Sequence, residues 1–201
     1  MKKPSLLAWF SHPLAAFAWK FLALYLLLAI PWPFLTQFYV DLGQEAGAML
    51  FNSRNDHRTM SFEFLKDPKR PFDARITIVN PVLLNPDGSG PVRHLDFDTR
   101  GTCWNPCVLL IALIIASPVS WKRRWRALAF GLPVLLIVIF CFFQFCLWDE
   151  ASEIGLVVIK TFWKTVVTMA RQAFIAYLGL VAPVLLWLMV TFRREDLPTL
   201  R

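Results

Sequence analysis

Residues 101–126 read GTCWNPCVLLIALIIASPVSWKRRWR, and the rest of the chain can be oriented from them. The stretch leaves polar, acidic sequence and passes Trp104-Asn105-Pro106 between Cys103 and Cys107. It then runs without a charge to Trp121 and ends on Lys122, Arg123, Arg124 and Arg126. Residues 104–119 would make a short crossing of about 24 Å at 1.5 Å per residue, bracketed by Trp104 and Trp121 as interfacial aromatics. Four basic residues with no acid among them mark the cytoplasmic end of such a crossing. A water-facing domain, a membrane crossing and a topological anchor are thus expected to follow one another.

Composition points the same way. Of 201 residues 57% are hydrophobic and 17% charged, where a soluble domain carries about a quarter charged residues. The apolar residues are gathered in blocks rather than spread at helical or strand spacing, which argues for a multi-pass membrane protein. Nine Trp and eighteen Phe suit interfacial belts and lipid-facing surfaces. The formal charge of +7 sits beside the apolar blocks as anchors, which excludes nucleic acid as the partner.

Working outward, residues 1–38 form the first division. Lys2 and Lys3 precede an interfacial segment with Trp9, Phe10, Phe17 and Trp19. Residues 21–38 carry no charge and have the length of a span. No small-x-small site follows before Pro31-Trp32-Pro33, so this reads as an uncleaved signal anchor whose outer end the prolines kink or terminate. Residues 39–102, the second division, are the long polar region, and 41–51 either extend the first helix or lie on the surface. Alternation of Met60, Phe62 and Phe64, then of Ile76 and Ile78, predicts strands. KDPKRP (66–71) and NPDGSG (85–90) are turns, and 92–98 is a third strand candidate.

Residues 103–201 form the third division: the second crossing, the basic loop, a third crossing over 127–148, an amphipathic segment and a fourth crossing over 172–192. In the amphipathic segment Ile154, Val157, Val158, Phe162, Val166 and Met169 share one face and Lys160 and Lys164 another. It is either interfacial or continuous with the fourth crossing. The fold class expected is a membrane all-α bundle of four transmembrane helices, with a small extracytoplasmic antiparallel β-unit between helices 1 and 2. The basic loop puts both termini in the cytoplasm and the β-unit outside.

The cysteines are the sharpest chemical feature. Cys103 and Cys107 stand at the outer entrance of the second crossing, and Cys141 and Cys146 in the outer half of the third. All four fall on the oxidising side, where disulfides persist, and Cys103 could pair with Cys146. The competing reading is that they are small apolar residues in helix packing. A four-thiolate metal site does not fit the Cys-x3-Cys spacing with a five-spaced second pair, and neither metal nor cofactor is implied. His94 is placed to meet Cys103, and Arg100 to hold an anion, but no spacing demands either. Gln144 and Gln172 are the polar exceptions in the crossings and suit interhelical hydrogen bonds. Arg171 and Lys164 are expected to snorkel to the interface.

Asn105-Pro106 followed by an apolar run to Ala116-Ser117-Pro118 and basic residues, together with VAPVLLWL (181–188), resembles the small integral membrane proteins that accompany bacterial exosortases, in particular exosortase H. The likeness lies in layout: an anchor, a β-rich outer segment and three further crossings. It implies an accessory protein of the bacterial inner membrane, bound to another integral membrane or envelope protein such as an exosortase-type enzyme. It carries over no catalytic residue. The alternatives are a membrane-embedded thiol enzyme or redox protein using the outer cysteines, and a transporter or channel subunit lined by Gln144 and Gln172.

Overall fold

Alternating apolar residues do form strands. In the computed structural model, which describes residues 13–30, 41, 44–45, 60–65, 72–83, 90–177 and 179–191, three strands make an antiparallel sheet in the order β1-β2-β3. They are β1 (Met60–Phe64), β2 (Ala74–Val79) and β3 (Val92–Phe97). Ile76 on β2 lies opposite Phe62 on β1 and Leu95 on β3. Period two puts Phe62, Ala74, Ile76, Ile78 and Leu95 on one face, and all five are buried. The other face is polar, with Glu63, Arg75 and Asp96 in one cross-strand row and Ser61, Thr77 and His94 in the next. Both turns expected from KDPKRP and NPDGSG lie outside the described residues but for Gly90. So do the interfacial segment at 1–12, Pro31-Trp32-Pro33, nearly all of 41–51, and Arg193 and Arg194.

Five α-helices occur among the described residues: α1 (Pro13–Ala29), α2 (Asn105–Ala116), α3 (Trp121–Glu153), α4 (Thr161–Tyr177) and α5 (Val181–Thr191). A π turn, Arg100–Trp104, leads into α2. The chain divides into two compact units. One holds α1, α2, the first half of α3 to Ile137, and α5; the other holds the sheet, α3 from Val138, and α4.

The expected bundle of four transmembrane helices is not what forms. Among the described residues only α3 is both long and apolar enough to cross a membrane. The physical reason is that each of the other apolar blocks is interrupted before it completes a span. The first helix stops at Ala29 after 17 residues. Ser117-Pro118 ends α2 after 12 residues, about 18 Å against a hydrocarbon core of about 30 Å. The block read as the fourth crossing is broken at Gly179 and Leu180, so its residues fall in two helices, of which α5 has only 11 residues. The count of apolar residues is right for spans; the count of unbroken turns is not.

In the first unit α2 packs against both α1 and α5. Val108, Leu109, Leu110, Ala112, Leu113, Ile114 and Ala116 are buried, and helices apolar on every side are core helices. Gly131 of α3 faces both α2 and α5. A Cβ built there lies 3.4 Å from Leu110 Cδ2 and 3.7 Å from Ile114 Cδ1 on α2, and 3.6 Å from Val190 Cγ2 on α5. Gly131→Leu has no room for its isobutyl group and is expected to cost about 2 kcal/mol, whereas Gly131→Ala is close to neutral. Thermal unfolding in detergent of the two variants checks this.

Candidate functional site

The second unit is built on the last turns of α3. That helix ends in a Schellman motif, in which Gly155 at φ +70° supplies the left-handed residue. Leu156 N–H donates to Ala151 O at 3.0 Å, and Gly155 N–H to Ser152 O at 3.3 Å. Buried Asn80, just past β2, donates from Nδ2 to Ile154 O at 2.9 Å and accepts from Val82 N–H at 3.0 Å. Arg93 of β3 pairs with Glu153 at 2.9 Å. Phe97 meets Phe143 of α3 with ring centroids 4.8 Å apart. The sheet is thereby clipped to α3 by a side-chain amide, an ion pair and an aromatic contact.

One turn back lies an ionic cluster. Arg171 of α4 reaches Asp149 Oδ2 at 2.9 Å and Glu150 Oε1 at 3.1 Å, and Thr168 Oγ1 donates to Asp149 Oδ1 at 3.2 Å. The Asp149 side chain is 9% exposed and Glu150 14%. Burial works against the charge on Arg171, but the hydrogen bond with Asp149 and the neighbouring negative charges outweigh it, and the guanidinium pKa is raised. The expectation that Arg171 snorkels is therefore corrected: two carboxylates hold it. The acids end one apolar block and the arginine opens the next, 22 residues apart, so only an antiparallel return of α4 beside α3 joins them.

The sheet has two edges, and they differ. Leu65 N–H donates to Asp73 O, which by the antiparallel alternation turns the main-chain groups of Phe62 and Phe64 outward from β2. The Gln44 side chain fills that edge: Phe64 N–H donates to its Oε1 at 2.9 Å, and its Nε2 donates to Phe62 O at 3.3 Å. On the far side, Asn80 N–H donates to Pro91 O. By the same alternation Val92, His94 and Asp96 turn their main-chain N–H and C=O groups away from β2. The side chains of Asp96 and His94 are tied across the sheet to β2. Arg75 grips Asp96 with two bonds of 2.6 and 2.8 Å, and His94 Nδ1 lies 3.1 Å from Thr77 Oγ1. The hydrogen bond to Asp96, with that carboxylate's charge, raises the Arg75 pKa.

The residues singled out from sequence are not gathered into one site. No disulfide joins the cysteines; Cys103 and Cys107 are half-buried, Cys141 is exposed and Cys146 buried. Cys141 and Cys146 are five residues apart on one helix, about 140° around its axis, and so present different faces. No group of three or more His, Cys, Asp or Glu side chains capable of holding a metal occurs among the described residues. His94 is exposed on the polar sheet face, and exposed Arg100 opens the π turn. Lys122, Arg123, Arg124 and Arg126 form the first turns of α3, where Arg124 sits 6.0 Å from the Trp121 ring centroid. Gln144 is half-buried on α3, and Gln172 exposed on α4.

Comparison of the chain with protein-family models, with curated proteins and with solved structures finds no match. The likeness to exosortase-associated proteins therefore rests on the residues quoted above. Two of them touch: Trp187 Nε1, within VAPVLLWL, donates to Ser117 Oγ at 2.7 Å, and Ser117 Oγ donates to Leu113 O at 2.7 Å. Ser117 is fully buried, so this bond satisfies an indole N–H inside the first unit. Sequence reading missed Gln44, Asn80, Asp149 and Arg171 as determinants of the site. The one signal available was Asp149-Glu150 closing an uncharged run, which asks for a cation nearby.

Proposed function

We propose that this is a membrane-anchored accessory protein that binds another membrane or envelope protein through its β-unit, with α3 lying across the bilayer. The observation that carries the reading is the place of β3 at the end of the strand order, with the main-chain groups of Val92 and His94 turned away from β2, on a sheet clipped to the end of α3. Strand addition at such an edge gives main-chain hydrogen bonds to a partner's extended segment. The resemblance of Asn105 to Pro118 and of VAPVLLWL to exosortase-associated proteins makes an exosortase-type enzyme, or the tail of one of its substrates, the partner to test first.

Two features of α3 support its place in the membrane. Only 39% of its apolar window is buried, and Phe130, Val134, Leu136, Ile137 and Phe140 are exposed. A soluble core helix would bury such side chains. Its charges also run against its own dipole: the first turn holds no acid and the last no base, although the macrodipole favours the reverse. The basic first turn is accounted for by an anionic cytoplasmic leaflet and the positive-inside rule. The acidic last turns are accounted for by Arg171 and Arg93.

His94→Pro is the direct test of the edge. It removes an N–H that points away from β2, a position where an edge strand tolerates proline. The variant is expected to fold and to lose partner recovery on pull-down from detergent by about tenfold or more, a cost of at least about 1.4 kcal/mol. His94→Thr keeps the amide and is expected to retain binding. Equal recovery with both variants would rule out strand addition at β3.

A further inference from the structure

After the Gly155 turn, Val167 is buried but several apolar residues are left outside. Val158 is 96% exposed, Phe162 71% and Trp163 57%. Met169 continues the strip along α4 at helical spacing from Phe162 and Val166. Arg171 and Phe174 pack toward α3, while Thr161, Lys164, Thr165, Thr168 and Gln172 line an open groove that Met169 shares with the strip. An aliphatic side chain as bare as Val158 has no folding role.

A second groove joins this strip to the end of α3. Trp148, Val157, Val158, Ile159, Lys160 and Trp163 line it. Trp148 immediately precedes Asp149, where the apolar run of α3 gives way to charge. If α3 crosses the bilayer, Trp148 stands at headgroup level, as interfacial tryptophans do. Trp163, Val157 and Val158 line the same groove as Trp148. The local charge is also suited to that level. Arg171 offsets one of the two charges on Asp149 and Glu150, and Glu153 is paired with Arg93. Lys160 and Lys164 make no ion pair among the described residues, which leaves positive charge beside an apolar strip.

We infer that residues 157–169 form a lipid-docking edge. Val158, Phe162, Trp163 and Met169 enter the headgroup boundary of the leaflet at the Asp149 end of α3, and Lys160 and Lys164 contact anionic phospholipid phosphates. The inference rests on the reading of α3 as a crossing. Interfacial docking of this kind combines an apolar face with basic residues that attract anionic lipid. It also gives the amphipathic segment one of the two placements that its sequence allows.

Site-specific photo-crosslinking of the full chain tests it. With p-benzoylphenylalanine at position 158, irradiation in native membranes is expected to give a phospholipid adduct, identified by its mass. The same residue at Ser61, exposed on the polar face of the sheet, is expected to give none. A protein adduct at 158, or no adduct, overturns the inference. In proteoliposomes of phosphatidylcholine with and without phosphatidylglycerol, Lys160→Glu and Lys164→Glu are each expected to reduce the anionic preference of the adduct about fivefold; an unchanged preference overturns the role given to the lysines. An alkaline carbonate wash separates the two readings. Loss of the protein from the membrane removes α3 as a crossing, whereas retention with no lipid adduct removes the docking edge alone.

Discussion

Replacing Arg171 with Leu is expected to destabilise the second unit by about 3 kcal/mol, because removing one partner of a buried ionic cluster strands the other charges. Asp149 and Glu150 would remain, 9% and 14% exposed, with no cation against them. Leu restores apolar volume but cannot donate a hydrogen bond to either carboxylate. Arg171→Lys is expected to recover only part of the loss, since a point charge does not reproduce the guanidinium's donors. Two further outcomes separate electrostatics from packing. The deficit of Arg171→Leu should shrink as the pH is lowered, because protonation removes the uncompensated negative charge. Adding Asp149→Asn and Glu150→Gln to Arg171→Leu should restore most of the stability. Thermal unfolding in detergent across pH, followed by tryptophan fluorescence, reads all three. A pH-independent deficit would mean that Arg171 acts through packing alone.

Ile76→Ala is expected to cost about 3 kcal/mol and to unfold the sheet. Ile76 is fully buried at the centre of the central strand, between Phe62 and Leu95. Truncating such a residue removes about 2–5 kcal/mol through lost transfer energy and the cavity left behind. A three-stranded sheet has little reserve, since sheets of this size need packing against another element to be stable at all. Here that packing is Phe97 on Phe143 and Asn80 on the end of α3. Ile76→Val should cost about 1 kcal/mol and leave the unit folded. Limited proteolysis of membranes is the measurement: new cleavage within 60–97 is expected for Ile76→Ala while α3 keeps the chain anchored. The same variant bears on function. Partner recovery that survives loss of the sheet would place the contact elsewhere and end the strand-addition reading.

How much of this was legible beforehand depends on the range of the interaction. The strands were legible because Met60, Phe62 and Phe64, and then Ile76 and Ile78, alternate within a few residues, and a pleated chain turns alternate residues to one face. The long apolar helix was legible from an uncharged run between a basic cluster and Asp149. The other crossings were misread because a hydropathy block does not show where a helix breaks. Ser117-Pro118 stops α2, and the turn at Gly179 and Leu180 separates α4 from α5. The cysteines, the most conspicuous chemistry in the sequence, are not drawn into one site.

The sequence alone therefore determined the local patterns: an antiparallel set of strands, one long apolar helix, and opposite charges at its two ends. Each follows from the chemistry of near neighbours. Only the tertiary structure decided that Gln44 bonds to the β1 edge and that Asn80 and Arg93 clip the sheet to α3. It also decided that Arg171 pairs with acids 21 and 22 residues before it, and that Val158 and Trp163 stay outside. These contacts join residues with no shared periodicity. Their energies come from burying charge and main-chain polar groups together, which no local pattern encodes. In the stretch at 101–126, the apolar part is a buried 12-residue helix rather than a span, and the basic end forms the first turns of α3.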